Sequence, residues 1–138
     1  MGQLSAERTR DGVRRYLDAL NAGDADAIAG CVSADFVNEH TSAAGRSVAG
    51  RAGYRARLDG FLADFVALRY EVEEVLVDGD RAAVAYRMSF RLASAGGAPV
   101  TVRGVFRFRV DSDGLVAHRV DYWDGAEVTR QIAAADGT

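Results

Sequence analysis

The residues of this sequence best suited to moving a proton are His40 and Asp121. A histidine with a pKa near ~6.5 suits the role of general base, and a desolvated carboxyl group has a raised pKa that suits a proton donor. Asn38 shares a face with His40 on a short extended segment that begins at Phe36, because side chains alternate along a strand. His40 and Asp121 are therefore the candidate catalytic pair, and Asn38 is a candidate for holding a water or a carbonyl oxygen.

Each of the two also has a purely structural interpretation. His40 could be a hydrogen-bonded histidine at the edge of a sheet, and Asp121 could pair with an arginine such as Arg119 on the sheet. An aspartate within a strand is disfavoured unless it is paired or exposed. The residues at 118, 120 and 122 compete for the inner face of the last strand, and we favour Asp121 and Trp123 facing inward.

The composition excludes several other chemistries. All 17 basic residues are arginine, so neither a Schiff-base lysine nor the lysine of a phosphate-binding P-loop is available. A lone Cys31 and two distant histidines predict neither an internal disulfide nor a zinc site. The net charge of −3 disfavours nucleic acid and anionic membranes as partners, and no apolar run reaches membrane-spanning length. We expect a cytoplasmic protein without a cofactor.

The elements that must position these residues change their period along the chain. Apolar residues at helical spacing predict a first helix around 13–20, a short second helix around 28–32 and a third over 54–65. From Leu68 onward the period is two, which predicts a meander of long strands that ends at Trp123 and is followed by a short helix. Helices followed by a meander indicate a single α+β domain over residues 1–138, with the helices covering one apolar sheet face.

The two faces of the predicted sheet have different compositions. Several arginines lie on the outer face, which we expect to form a homodimer, since closed twofold dimers are the commonest assembly. The inner face and the helices should enclose a pocket for a small apolar molecule. Besides Asn38, the residues expected to line this pocket are Tyr16, Phe61, Phe65, Tyr86, Met88, Phe106 and Trp123.

Two stretches resemble a known family. The first-helix sequence from Tyr16 to Ile28, YLDALNAGDADAI, resembles the signature of the NTF2-like superfamily, and Gly104-Val105-Phe106-Arg107-Phe108 followed by RVDYWD at 119–124 resembles its last hairpin. The likeness is strongest toward SnoaL-like proteins, with ketosteroid isomerases and limonene epoxide hydrolases as relatives. It implies a cone of three N-terminal helices packed on a curved antiparallel sheet, with a short C-terminal helix.

The resemblance also carries expectations for single residues. Tyr16 matches the first-helix tyrosine that the isomerases use as an oxyanion donor, whereas His40 and Gly104 stand where they keep two aspartates. Asp121 matches the last aspartate of the epoxide hydrolases and resembles the acid/base aspartate of SnoaL-like cyclases. The resemblance implies a cofactor-free isomerase, cyclase or hydrolase acting on a small apolar metabolite. The alternative is a non-catalytic ligand-binding or dimerisation module of the same fold.

Overall fold

The computed structural model describes residues 2–42 and 45–136. Four helices and six strands make up most of this part of the chain: α1 Gly2–Ala22, α2 Ala25–Gly30, β1 Val32–His40, β2 Val48–Ala49, α3 Arg51–Asp64, β3 Phe65–Asp78, β4 Arg81–Leu92, β5 Ala98–Val110, β6 Val116–Trp123 and α4 Gly125–Asp136. Within the described ranges, no helix combines the length and the apolar character needed to cross a membrane.

The six strands form one sheet in the order β2-β1-β6-β5-β4-β3. Strands β3 to β6 are joined as antiparallel neighbours, and β1 runs parallel to β6. The sheet is therefore mixed, and not antiparallel throughout as the resemblance had implied, because the strand that follows the first two helices returns beside the last strand of the meander. The predicted α+β cone, with helices covering one face of a curved sheet, is confirmed.

Helices α1 and α3 cover the inner face of the sheet with apolar side chains. Tyr16 and Leu20 of α1 and Tyr54 and Leu58 of α3 are all buried, as expected for an amphipathic helix packed on a core. The side chain of Asn21 also ties α1 to β3, since its amide exchanges two hydrogen bonds with the backbone of Tyr70. These contacts leave a space between α3 and the sheet.

Two local predictions differ from the structure. The residues at 33–35 favour a break in the sequence pattern, yet β1 runs from Val32 to His40 and its pairing with β6 shifts register between Val32 and Val37. The shift in register accommodates the polar residues of this stretch without ending the strand. The small and glycine-bearing stretch 43–50 favours a loop, yet it contains the two-residue strand β2. Residues 43 and 44 of this stretch lie outside the described residues.

The direction of the side chains on β6 decides which residues reach the interior. Arg119 and Asp121 are each 6% exposed and border the cavity together with Trp123. Tyr122 points to the other face and is 41% exposed. The alternation of a strand thus places three consecutive odd-numbered residues on the side of the helices.

Candidate functional site

A cavity of about 670 Å³ lies between α3 and the inner face of the sheet. This volume is in the range of small-molecule sites. Most of its wall is apolar, and the apolar lining includes Leu20, Leu58, Phe61, Phe65, Met88, Phe90, Leu92, Val102 and Val128. The polar side chains of the interior gather around Asp121 and Arg119, two residues apart on β6.

Asp121 has a residue of another strand next to each of its carboxyl oxygens. The hydroxyl of Tyr86 donates a hydrogen bond of 2.6 Å to Oδ1, and Oδ2 lies 3.7 Å from Nδ1 of His40. Burial raises the pKa of the Asp121 carboxyl, outweighing Arg119 and the Tyr86 hydrogen bond, which both lower it. The carboxyl group is therefore closer to exchanging its proton near neutral pH than an exposed aspartate.

His40 is neutral and has a defined tautomer. The indole N–H of Trp123 donates to its Nδ1 at 3.1 Å, and an indole nitrogen can only donate. The ring proton of His40 must then be on Nε2. Burial, and then the charges of Arg119 and Arg57, lower the pKa of His40 to about 4, so the approach to Asp121 is not an ion pair at neutral pH.

The Tyr86–Asp121 contact depends on the absence of a side chain at Gly104. Tyr86 and Gly104 are directly opposite each other in the pairing of β4 with β5. A Cβ at position 104 would collide with the hydroxyl of Tyr86 and would lie 2.6 Å from its Cζ. The glycine therefore leaves room for the Tyr86 hydroxyl to reach across β5 toward β6.

Arg119 forms a second polar cluster beside the first. Its Nε donates to Oδ1 of Asn38 at 2.9 Å, and its Nη1 donates to the hydroxyl of Tyr16 at 2.7 Å. The Tyr16 hydroxyl lies 2.5 Å from that of Tyr54. The guanidinium also lies over the ring of Phe106, 5.0 Å from its centroid, which is a favourable position for a cation.

The comparisons with known proteins agree with this architecture. Residues 13–119 match the family model of the SnoaL-like domain. The chain belongs to the SnoaL-like family. Among curated proteins, none matches the sequence.

Three solved structures illustrate the range of relatives of this SnoaL-like chain. A protein named as a SnoaL-like polyketide cyclase, from Shewanella denitrificans, has a TM-score of 0.81 and 16% identity, covering 91% of this chain and 97% of that chain. An LEH-like epoxide hydrolase from M. tuberculosis has a TM-score of 0.78 and 19% identity, covering 94% and 92%. A protein named as a ketosteroid isomerase, from Kribbella flavida, has a TM-score of 0.67 and 28% identity, covering 86% and 78%.

The SnoaL-like cavity brings most of the sequence candidates together. His40, Asp121, Asn38, Phe61, Phe65, Tyr86, Met88 and Trp123 all border it. Tyr16 and Phe106 are fully buried and lie behind its wall, where Tyr16 contacts Arg119 and Phe106 stacks on Tyr86. In the described ranges, no group of three or more His, Cys, Asp and Glu side chains is arranged to hold a metal ion.

The polar residues of the cavity wall that the sequence pattern did not reveal include Arg119, Tyr54 and Tyr70. The signal for Arg119 was present, since alternation places it on the face of Asp121 and Trp123. Tyr54 begins the apolar stripe of the third helix, and this helical spacing was the signal that it faces the sheet. Their hydroxyl and guanidinium groups make this end of the cavity more polar than the sequence pattern suggested.

Proposed function

We propose that this SnoaL-like protein is a cofactor-free acid/base enzyme in which Asp121 moves a proton on a small, largely apolar molecule. The observation that carries the proposal is the position of the Asp121 carboxyl. It is buried in the wall of an apolar cavity, has its pKa raised by that burial, and has only Oδ1 fixed by Tyr86. A positioned carboxyl of this kind suits general acid/base catalysis.

In this proposal His40 does not act as a second base. Its Nδ1 lone pair accepts the Trp123 N–H, and its lowered pKa keeps the ring neutral. A neutral imidazole with its proton on Nε2 can still donate a hydrogen bond to a substrate oxygen. We therefore assign proton transfer to Asp121 and polarisation of the substrate to His40, with Asn38 fixed by Arg119 nearby.

The reaction class is a proton transfer without redox change. Isomerisation moves a proton from one carbon to another, cyclisation transfers one from a nucleophile to a leaving oxygen, and water addition takes one from water. A single carboxyl group that accepts the proton and returns it can serve all three reactions. Relatives named as a polyketide cyclase, an epoxide hydrolase and a ketosteroid isomerase support this range.

The chromogenic probe nitrobenzisoxazole tests the proposal without knowledge of the natural substrate. A base removes its ring C–H proton, the N–O bond breaks, and a coloured cyanonitrophenolate forms. We expect Asp121→Asn to lower the rate constant ~100-fold or more, since a positioned base contributes at least that factor. The wild-type rate should rise with pH through the raised pKa of Asp121.

The matched control is Asp64→Asn. Asp64 also borders the cavity, but its carboxylate accepts hydrogen bonds from the backbone and hydroxyl of Ser94. This variant should react like the wild type. A wild-type rate that Asp121→Asn leaves unchanged would disprove the enzyme proposal and favour a non-catalytic ligand-binding module.

We also propose that the protein forms a homodimer through the outer face of the sheet. Exposed apolar side chains of Leu76, Val105 and Tyr122 lie there among arginines, a composition found in interfaces. Light scattering should give twice the mass of one chain, and Val105→Glu should give the mass of one. A wild-type monomer at micromolar concentration contradicts the dimer.

A further inference from the structure

Arg119 is a buried cation whose hydrogen-bond partners are neutral. It is 6% exposed, and its Nε and Nη1 donate to the Asn38 amide oxygen and the Tyr16 hydroxyl. A guanidinium cannot be deprotonated in a protein. Over residues 2–42 and 45–136, no carboxylate oxygen approaches Arg119 within the 4.0 Å that defines an ion pair. The positive charge is therefore left without a directly bonded counter-charge.

The remaining amino group of Arg119 opens onto the cavity. In the described part of the chain, every fully buried side-chain nitrogen or oxygen has a hydrogen-bond partner. Nε and Nη1 each donate one hydrogen bond, and Nη2 donates none to the described residues. It must then have accessible surface, and the surface that Arg119 offers is the wall of the cavity.

The two tyrosines next to Arg119 direct a second donor into the same space. Tyr16 accepts from Arg119 and is fully buried, so its own proton is satisfied only by donation to the Tyr54 oxygen 2.5 Å away. The hydroxyl proton of Tyr54 is then free, and Tyr54 borders the cavity. Tyr16 is thus a positioning residue that acts through Tyr54, in contrast to the direct donor role expected from the sequence.

The charged side chains around the cavity also favour an anionic ligand. Its lining contains Arg46, Arg57 and Arg119 against Asp64 and Asp121, an excess of arginine in a chain of net charge −3. Arg57 uses its guanidinium on the backbone carbonyls of residues 46 and 47 and pairs with no carboxylate in the described ranges. An anion that enters this cavity meets a positive potential, which low-dielectric walls strengthen.

We infer that the natural ligand is an apolar acid whose carboxylate is received by Nη2 of Arg119 and the hydroxyl of Tyr54. This deepens the proposed function by naming a substrate class, and it rests on that proposal for the assignment of the same cavity. The carboxylate supplies the directly bonded counter-charge that Arg119 lacks, and the aromatic wall accommodates the hydrocarbon part. Charge-assisted hydrogen bonds of this kind are the stronger ones in proteins.

The test compares naphthoate with its neutral isostere naphthamide in calorimetric titrations of the full chain. The two probes share shape and ring area and differ in charge. We expect the wild type to bind naphthoate ~10-fold or more tightly than naphthamide, the ratio expected from hydrogen bonds to a charged group. Equal affinity, a preference for naphthamide, or no binding of naphthoate at millimolar concentration overturns the inference.

Variants then locate the preference. Tyr54→Phe keeps the ring and should weaken naphthoate ~10-fold while changing naphthamide less. Arg119→Met should abolish the preference, and its thermal unfolding shows whether it has folded. Arg103→Met on the outer face, where Arg103 pairs with Glu73, should bind both probes like the wild type. A preference that survives in Tyr54→Phe and in folded Arg119→Met contradicts the assignment.

The ligand class and the enzyme proposal can fail separately. Asp121→Asn should lose reaction with nitrobenzisoxazole and keep its preference for naphthoate, because Arg119 and Tyr54 are intact. If the wild type reacts through Asp121 but does not prefer the anion, the ligand class is wrong and the enzyme proposal stands. If the wild type prefers the anion but Asp121→Asn leaves the reaction rate unchanged, the enzyme proposal is wrong and the ligand class stands.

Discussion

The two faces of the sheet present the same kinds of side chain to different surroundings. On the outer face, His118 lies 3.1 Å from Glu39 and Tyr122 accepts a hydrogen bond from Arg107. On the inner face, His40 accepts from Trp123 and Tyr86 donates to Asp121. Each face thus has one histidine and one tyrosine with a polar partner.

Only the inner pair has the electrostatics of a reactive site. Burial lowers the pKa of His40 and raises that of Tyr86, whose hydroxyl is further held by Asp121. The His118–Glu39 pair is 35% and 49% exposed, and solvent-exposed ion pairs of this kind contribute about 0–1 kcal/mol. Exclusion of water, more than the choice of residue, therefore sets the chemistry of this sheet.

The largest expected effect on the free energy of unfolding comes from the histidine of the inner face, His40. With its pKa lowered from 6.5 to about 4 in the folded state, His40 binds its proton less readily than in the unfolded chain. Its contribution to stability is complete above pH 6.5 and is lost as the pH falls toward 4. By linkage the loss is about 3 kcal/mol, measurable as a lower free energy of unfolding in urea at pH 4 than at pH 7.

Substitution separates this effect from other titrations. His40→Asn keeps an acceptor for Trp123 and cannot titrate, so its unfolding free energy should fall less between pH 7 and pH 4 than that of the wild type. His118→Ala should follow the wild type, because His118 is partly exposed beside Glu39. If His118→Ala removed the acid sensitivity and His40→Asn retained it, the contrast between the two faces would be wrong.

The same contrast shows how far sequence patterns reach. The change from helical to twofold periodicity predicted the helices, the meander and the inward direction of Asp121 and Trp123. Alternation also pointed Arg119 inward, but arginine is rarely buried, and the pattern alone could not reveal its neutral partners. The hydrogen bond from Tyr86 to Asp121 could not be predicted, because it requires Gly104 to lie directly opposite Tyr86 in the sheet. Alternation along a strand shows which face a residue is on, but it does not set the register between strands.

Substituting the tyrosines should change the free energy of unfolding less than the titration of His40 does. Tyr86 donates to a buried carboxyl at 2.6 Å, and this bond lowers the pKa of Asp121 against the larger effect of burial. Tyr86→Phe should therefore raise that pKa further and move the rise of the nitrobenzisoxazole rate to higher pH. It should also cost about 2 kcal/mol of unfolding free energy where Asp121 is ionised, as hydrogen bonds to charged groups do.

Tyr122→Phe is the counterpart on the outer face. Its hydroxyl is 3.1 Å from Nη2 of Arg107 on a side chain that is 41% exposed, so water can replace the lost partner. We expect a change of about 0.5 kcal/mol or less, typical of surface substitutions, and an unchanged pH profile. If both variants shifted the profile equally, the Asp121 carboxyl would be responding to the sheet as a whole, and the local hydrogen bond from Tyr86 would not be what tunes it.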